Sequence, residues 1–543
     1  MSDHGWNYAE LWEAVADRLP DAPAQVCADR RYTWAQFDRR ADGLAATLLS
    51  AGLGHQDKVA QYLYNGPEYI ESMFGAFKAG LVPVNTNYRY TDDELVYLWD
   101  NADAAAVIVH GDLGDRAVRV RDRLPGVRVW LWVDAPGGMT CPPWAVPYEQ
   151  AAASASSRVL PAWGRSGDDL LLLYTGGTTG LPKGVMWPQQ ELLQMLERTN
   201  SRPMPDPPDA VALASTLVRP GPTFLPAPPL MHGSAQWFAF PVLDRGGCIV
   251  TVPDRRFDAG SLLDAVARHR VTGFGIVGDA FARPLVDLLD GSPGRWDLTA
   301  VRVVLTSGAM MSADVKRRLL AHLPHATVVD GLGTSESGSL GQSAVDNRGA
   351  GDGASLTAQF KVNERTRVVD DAGRDVVAGS GERGRIAVAG HLPLGYYKDP
   401  EKTAATFLEL DGRRHVVAGD WAQVEADGTI TLLGRGSNCI NTGGEKVYPE
   451  EVEEALKTHP TVADAGVIGR PDERFGQTIA AVVELVPGAG LDDDALREHV
   501  RSRLAGYKVP RAVLAIDDLG RLPNGKMDYP RLEAEADRQL GPT

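Results

Sequence analysis

Cysteine is scarce in this 543-residue chain: Cys27, Cys141, Cys248 and Cys439 stand far apart and form no CxxC pair or Cys/His cluster. That spacing argues against a disulfide framework and against a cysteine-based zinc site, and it fits a reducing compartment. Basic residues are outnumbered, 55 Lys and Arg against 71 Asp and Glu, for a formal net charge of −16. Nucleic-acid binding rests on clustered positive charge, so no nucleic-acid partner is expected. A small anionic ligand stays open, because backbone amides and a few placed cations can hold one whatever the overall charge. Long apolar runs are also missing, none approaching the ~18 residues of a membrane span. The opening MSDHGWNYAELWEAVADRL lacks the basic, apolar and small-residue order of a signal peptide. A cytoplasmic chain with no integral membrane segment is the expectation.

What is present is the composition of a globular protein, 44% hydrophobic and 23% charged. A single core stops growing near ~250–300 residues, so at least two domains are expected. Between Phe37 and Val109, helical periods alternate with short apolar strands, as in QFDRRADGLAATLLSAG followed by VAQYLY. Thr91-Asp92-Asp93-Glu94 has capping-box spacing and leads through a helix to AAVIV. Strand-helix-strand repetition predicts an α/β fold with parallel sheet and helices on both faces. Val133 to Gly167, Ser201 to Pro229 and Gly341 to Ser355 read as loops from their Pro, Gly and polar content. From about Gly434 the pattern restarts as a compact unit: PEEVEEALK, ADAGVIG, TIAAVVELV, DDDALREHVRSRL and AVLAI. The expected division is residues 1–434 and 435–543.

The most informative segment is LLLYTGGTTGLPKGV, Leu171 to Val185. An apolar strand opens into Thr175-Gly176-Gly177-Thr178-Thr179-Gly180, followed by Pro182-Lys183-Gly184. Glycines let amides turn toward an anion, hydroxyls add donors, and Lys183 supplies a point charge for phosphate oxygens. No Gly-Lys-Ser/Thr closes the loop, so it is not a Walker motif. Here the sequence resembles the adenylate-forming superfamily of acyl-CoA synthetases, peptide-synthetase adenylation domains and luciferases. Further motifs follow in that superfamily's order over nearly the whole chain: LTSGAMMS, DGLGTSESG, VVAGDW, GRGSNCINTGGEKVYPEEVE, GRPDERFGQ, LAGYKVPR and LPNGKMD.

The resemblance implies a large N-terminal domain of several subdomains, with parallel sheets packed by helices. It also implies a small, mobile α+β C-terminal domain. ATP, Mg²⁺ and coenzyme A are the implied cofactors, and a small-molecule carboxylic acid the implied substrate. Gly308, Ala309, Asp330, Gly331 and Leu332 would line the adenine pocket, although the superfamily usually has an aromatic residue where Leu332 stands. Ser335 and Glu336 would face the α-phosphate and the metal; Mg²⁺ prefers oxygen ligands and is commonly shared between one or two carboxylates and substrate phosphates. Asp420 would accept hydrogen bonds from the ribose hydroxyls, with Arg435 beside it. Lys526 would be the catalytic lysine that bridges the substrate carboxylate and the α-phosphate, an electrostatic role. Gly443 and Gly444 would shape the pantetheine channel. Ser437 and Asn438 occupy a hinge stretch where Asp or Lys is common in relatives.

Adenylation domains for amino acids usually carry an aspartate in a Phe-Asp-x-Ser segment, where this chain has Met231-His232-Gly233-Ser234. A buried ammonium without a partner costs several kcal/mol, so an amino-acid substrate is not expected. His232 matches the superfamily's pocket histidine. Gly233, Gly273, Gly275 and Gly278, with Met231, Trp237, Phe274 and Met310, would border an acyl channel roomy enough for a large apolar acid. YLYNGPEY, VNTNYRY and TGGTTGLPKGVMW are most similar to actinobacterial synthetases of fatty or steroid-side-chain acids, and a terpenoid acid stays open. So do a ligase that hands acyl-AMP to an acyl-acceptor protein, a nucleotide-binding pseudoenzyme, and a homodimer.

Overall fold

The computed structural model describes residues 5–177, 180–199, 203–308, 311–346, 359–435, 440–442, 445–472, 476–504, 506–522 and 525–541. Within them the chain forms three sheets. In the first, of seven strands, Val146–Pro147, Val129–Val133, Ala104–His110, Lys58–Tyr62, Val82–Asn85 and Leu170–Gly177 run parallel, and Gly180–Pro188 closes the edge antiparallel. Strand residues alternate between two apolar faces. Val59, Ile108 and Leu131 meet the helices Trp34–Ser50 and Pro67–Lys78 on one face. Ala60, Val107 and Trp132 meet Asp92–Asn101 and Gly114–Val120 on the other. The capping box is formed: Thr91 N donates to Glu94 Oε2 at 2.7 Å and Glu94 N to Thr91 Oγ1 at 3.5 Å.

The second sheet has fifteen strands. Its parallel run is Pro23–Cys27, Cys248–Thr251, Thr223–Pro226, Gly273–Ile276, Val303–Ser307 and Thr327–Thr334. It then continues antiparallel through Gly338–Val345, Gln359–Val362, Ile430–Arg435, Asp420–Val424 and Arg383–Val388. The helix layer between the first two sheets is shared. Trp12, Phe37, Phe74, Phe240 and Leu193 belong to one buried cluster with strand residues of both sheets. Within that layer the fully buried Lys78 ammonium lies 2.6, 2.7 and 2.9 Å from carboxylates of Glu13, Asp38 and Asp42. Arg165 forks onto Glu13 at 2.8 and 2.9 Å. Partners on every side offset the desolvation of these charges.

The third sheet comprises Ile440–Thr442, Glu445–Val447, Val462–Asp472, Gly476–Leu485 and Ala512–Ile516, packed by the helices Pro449–Lys457, Asp493–Arg501 and Tyr529–Leu540. Its mixed ladder matches the expected α+β pattern. Three segments read as loops depart from that reading. Val133 to Gly167 contains the strand Val146–Pro147 and the helix Tyr148–Ala152. Ser201 to Pro229 contains the helix Ala210–Ser215 and the strand Thr223–Pro226, because Phe224 and Leu225 complete a buried parallel ladder despite their proline neighbours. Gly341 to Ser355 begins as the second half of the strand Gly338–Val345. Among the described residues no helix is long and apolar enough to cross a membrane.

Candidate active site

A cavity of about 3050 Å³ opens where the three sheets meet. The phosphate-loop segment enters it as a β-hairpin. Leu170–Gly177 pairs with Gly180–Pro188, placing Thr175 opposite Lys183 and Gly177 opposite Gly180. Gly176 belongs to the first of these strands, and Thr178 and Thr179, at the tip, lie outside the described residues. Gly184 is required by packing, since a Cβ there would stand 2.7 Å from Cε2 of Tyr174.

Residues 394–397 dock along the second hairpin strand, through Leu394 N to Met186 O at 2.8 Å, Met186 N to Gly395 O at 2.9 Å and Tyr397 N to Gly184 O at 2.8 Å. Gly395, at φ +143°, lets the strip pass Thr403, whose Cγ2 would meet a Cβ at 2.4 Å. This strip delivers Tyr396, a residue the sequence reading missed. Its hydroxyl donates to Glu336 Oε1 at 2.8 Å, and Lys183 Nζ stands 5.9 Å from its ring centroid. Lys183 is paired with Asp399 at 2.8 Å, and that hydrogen bond holds the Asp399 carboxyl below its usual range. Trp187 Nε1 donates to Ser335 O at 2.9 Å, tying the acidic turn to the hairpin. Lys183, Tyr396, Ser335 and Glu336 thus form one corner of the cavity.

The opposite wall comes from ends of the parallel strands. Thr306 lies beside Asp330 and Ser307 beside Gly331 in the ladder, followed by Gly308 at φ +88°. Gly308, Asp330, Gly331 and Leu332 all line the cavity. Burial raises the Asp330 carboxyl, and Lys316, 2.6 Å away, opposes that rise. Leu332 packs on the cluster of Leu340, Phe360 and Ile430. The buried Asp420 also lines the cavity and stands opposite Arg435 in the antiparallel ladder, which gives structural form to their expected adjacency. The Arg435 side chain lies outside the described set, as do Ala309, Met310, Ser437, Asn438, Gly443 and Gly444.

His232 caps the helix Gly233–Leu243, and its Nε2 is enclosed with no protein hydrogen-bond partner. Burial, with the charges of Lys526 and Arg89 adding, pushes its pKa down to about 4, so the ring is neutral at pH 7. Trp237 presents a second enclosed donor without a partner, Nε1. Asn85, buried and also missed, fixes this wall to the hairpin. Its Nδ2 donates to Tyr174 O at 2.8 Å and Met231 O at 2.6 Å, and its Oδ1 accepts from Tyr174 N at 2.6 Å. Asn85 falls within the run VNTNYRY, but nothing in that run says that it bridges two walls, and Tyr396 falls in none of the motifs quoted above.

The glycines expected to leave open volume act differently. A Cβ on Gly275 would lie 2.4 Å from Cδ2 of Phe238, on Gly273 2.6 Å from Val303 Cγ1, and on Gly233 2.7 Å from Leu173 Cδ2. They admit neighbouring side chains, and Phe238 forms the wall in front of Gly275. Met231 is buried behind the surface. Gly278 starts the helix Gly278–Gly291 at φ +47°, its N–H bonded to Thr306 Oγ1 at 2.9 Å.

Lys526 enters from the C-terminal unit. Gly525 beside it, at φ +74°, abuts Val277, whose Cγ1 would meet a Cβ at 2.4 Å. Lys526, His232, Lys183 and Glu336 therefore share one cavity. Among the described residues no group of three His, Cys, Asp or Glu side chains is gathered to hold a metal. A lone carboxylate beside phosphates fits Mg²⁺, which retains waters and shares its coordination with substrate.

The fold is shared with solved CoA ligases. It superposes with a TM-score of 0.85 on an anthranilate CoA ligase in complex with anthranoyl-AMP, at 22% identity over 99% of each chain. It superposes at 0.79 on ATP-bound MatB from Rhodopseudomonas palustris, at 27% identity over 99% of this chain and 100% of that one. Residues 12–397 match the AMP-binding enzyme family and residues 451–526 the AMP-binding enzyme C-terminal domain. The chain belongs to this family. It is 41% identical over 528 residues to the medium/long-chain-fatty-acid–CoA/3-oxocholest-4-en-26-oate–CoA ligase of Mycobacterium tuberculosis, covering 96% of this chain and 95% of the relative. It is also 41% identical to the 3-oxocholest-4-en-26-oate–CoA ligase of Rhodococcus rhodochrous, covering 96% and 94%.

Proposed function

We propose that this chain, an AMP-forming acid–thiol ligase, activates a large apolar carboxylic acid of fatty, steroid-side-chain or terpenoid type. The acid is converted to acyl-AMP with release of pyrophosphate, and the acyl group then passes to coenzyme A. The observation that carries the reading is the convergence of Lys183, Lys526, Glu336 and the enclosed His232 on one cavity. Relatives whose names specify fatty and cholestenoic acids support the substrate class.

The residue roles follow from charge. Lys183 and Lys526 would meet the negative charge that accumulates on phosphate oxygens during in-line attack, and placed cations lower that barrier. Glu336, oriented by Tyr396, would hold Mg²⁺ together with the phosphates; when bound, the ion neutralises phosphate charge. Asp420 would accept from the ribose diol, and the wall from Gly308 to Leu332 would take the adenine. His232 would keep an uncharged polar atom facing the acid, with Gly233 and Trp237 lining the acyl side and Met231 and Gly278, expected there from sequence, set behind the lining. No carboxylate stands beside His232 in its segment to receive a substrate ammonium. Residues 1–434 and 435–543 are proposed as the two domains, the second mobile, with Gly443 and Gly444 at the thiol channel. The setting is proposed to be cytoplasmic.

ATP–pyrophosphate exchange across fatty, steroid, terpenoid, aromatic and amino acids, followed by mass spectrometry for the CoA thioester, tests the reading. Apolar acids should support exchange and yield thioester, and amino acids should fail. Strong exchange with a proteinogenic amino acid would sink the substrate class. Acyl-AMP without thioester would reduce the chain to an adenylating enzyme that serves another acceptor.

A further inference from the structure

Beneath the turn that carries Lys526, the C-terminal unit holds a forked ion pair. Arg521 Nε and Nη2 bind the two carboxylate oxygens of Asp464 at 2.5 and 2.8 Å. Its remaining terminal nitrogen, Nη1, donates to Gly525 O at 3.1 Å, the carbonyl immediately before Lys526. The turn is closed on itself by Gly525 N to Leu522 O at 2.7 Å and Leu522 N to Lys526 O at 2.8 Å. Asp464 sits on the strand Val462–Asp472, directly opposite Glu484 in the ladder, and is further fixed by Ala465 N at 2.8 Å. Both side chains are mostly enclosed, 18% and 19% exposed. Burial alone would raise the Asp464 carboxyl, yet the hydrogen bonds and charge of Arg521 hold it below its usual range. On the other side of the turn Met527 packs into the apolar cluster with Ile468 and Leu532. The methionine fixes depth, and the guanidinium fixes the carbonyl that precedes the lysine.

A planar guanidinium held by a bidentate carboxylate has little freedom left, so its third contact transmits the position of the sheet to the turn. We propose that Asp464 and Arg521 are positioning residues for Lys526 in adenylation, locking the lysine's turn to the C-terminal sheet so that its ammonium arrives at a fixed point in the cavity. The proposal rests on the reading of Lys526 as the adenylation lysine. A lysine held by a long flexible stem gains catalytic value from such a lock, because misplacement of a catalytic group by about 1 Å can cost ~10²-fold in rate.

The test uses the full-length protein and separates the half-reactions. Adenylation is followed from free acid and ATP, and thioester formation from supplied acyl-AMP and CoA. The variants are Arg521→Met, Arg521→Lys, Asp464→Asn, Lys526→Ala and the double variant Arg521→Met/Lys526→Ala. Arg521→Met should lower adenylation kcat about 10- to 100-fold with KM for ATP changed less than about threefold, and thioester formation should be retained. Arg521→Lys should fall with it, since an ammonium lacks the fork. The double variant should be no slower than Lys526→Ala alone, because a misplaced lysine has nothing left to lose once removed. Asp464→Asn, close in shape, should show a smaller loss in the same half-reaction, so the inference stays testable even where Arg521→Met folds poorly. Additive losses in the double variant, equal losses in both half-reactions, or full activity in Arg521→Lys would overturn the positioning role. Full adenylation by Lys526→Ala would instead overturn the reading of the lysine, and the positioning role with it.

Discussion

Replacing Tyr396 by Phe deletes one oxygen from the corner that joins Lys183 to Glu336. The hydroxyl donates to Glu336 at 2.8 Å, a charge-assisted bond. Bonds to charged groups contribute roughly 1.5–3 kcal/mol, and a partly exposed carboxylate recovers part of that from water. A loss of about 1–2 kcal/mol remains, roughly 5- to 30-fold in kcat/KM for ATP·Mg²⁺. The ring should stay in place, because its edge contact with Phe407 at 5.9 Å, its backbone N–H bond to Thr403 Oγ1 at 2.9 Å and the ladder bonds of its neighbours to Gly184 and Met186 do not involve its own hydroxyl. The Lys183–Asp399 pair is likewise untouched. Initial rates are measured while Mg²⁺ is titrated at fixed ATP, with thermal melts alongside. The expected result is a rightward shift of the Mg²⁺ dependence and a Tm within a few degrees of wild type. An unshifted Mg²⁺ curve with lowered kcat would refute the idea that Tyr396 acts by orienting Glu336.

Other outcomes follow from the same geometry. Glu336→Ala should abolish most ATP·Mg²⁺ use while the protein remains folded by circular dichroism; wild-type turnover in the folded variant would remove Glu336 from the site. In the C-terminal unit the buried Glu453 is pushed up to about 7, chiefly by burial, with Lys457 and Arg521 pulling it down and Asp464 adding to the rise. Its proton is held more tightly folded than unfolded, so its stabilising contribution is complete below the unfolded value near 4.5 and is lost as pH rises through about 7. Glu453→Gln removes that titration, so between about pH 5 and pH 8 wild type should lose stability that the variant keeps. Urea melts at both pH values check this, and parallel losses in the two proteins would contradict it.

The motif-bearing part of the site was legible because loops that handle phosphate need specific residue types in fixed order. Thr175, Lys183, Glu336, Asp420 and Lys526 were readable in this way, and the structure gathers them around one cavity. The parallel α/β pattern was legible from strand-helix alternation, and the capping box at Thr91 from local spacing alone. Tyr396 and Asn85 were not, since each works through partners distant in sequence: 60 residues to Glu336 and 146 to Met231. The glycines of the acyl side were legible as small residues, but whether a glycine leaves room or is filled depends on the opposite side chain. Phe238 decides that at Gly275. The strand Thr223–Pro226 was hidden by proline-rich composition, which describes its flanks better than its buried middle.

The saturated amide of Asn85 has a consequence for redesign. An asparagine amide offers two donor hydrogens, and here they go to two different segments, one leading to the phosphate hairpin and one to the start of the histidine-capped helix. Asn85 thereby ties the strand that carries Thr175 to the segment that leads into His232. On the proposed roles, exchanging residues from Gly233 onward should alter which acid is accepted while the tie between Asn85 and the carbonyl of Met231 keeps the helix start in place. A graft that breaks this bond frees the helix start from the hairpin strand, so Asn85 belongs to the part of the wall that a redesign should keep.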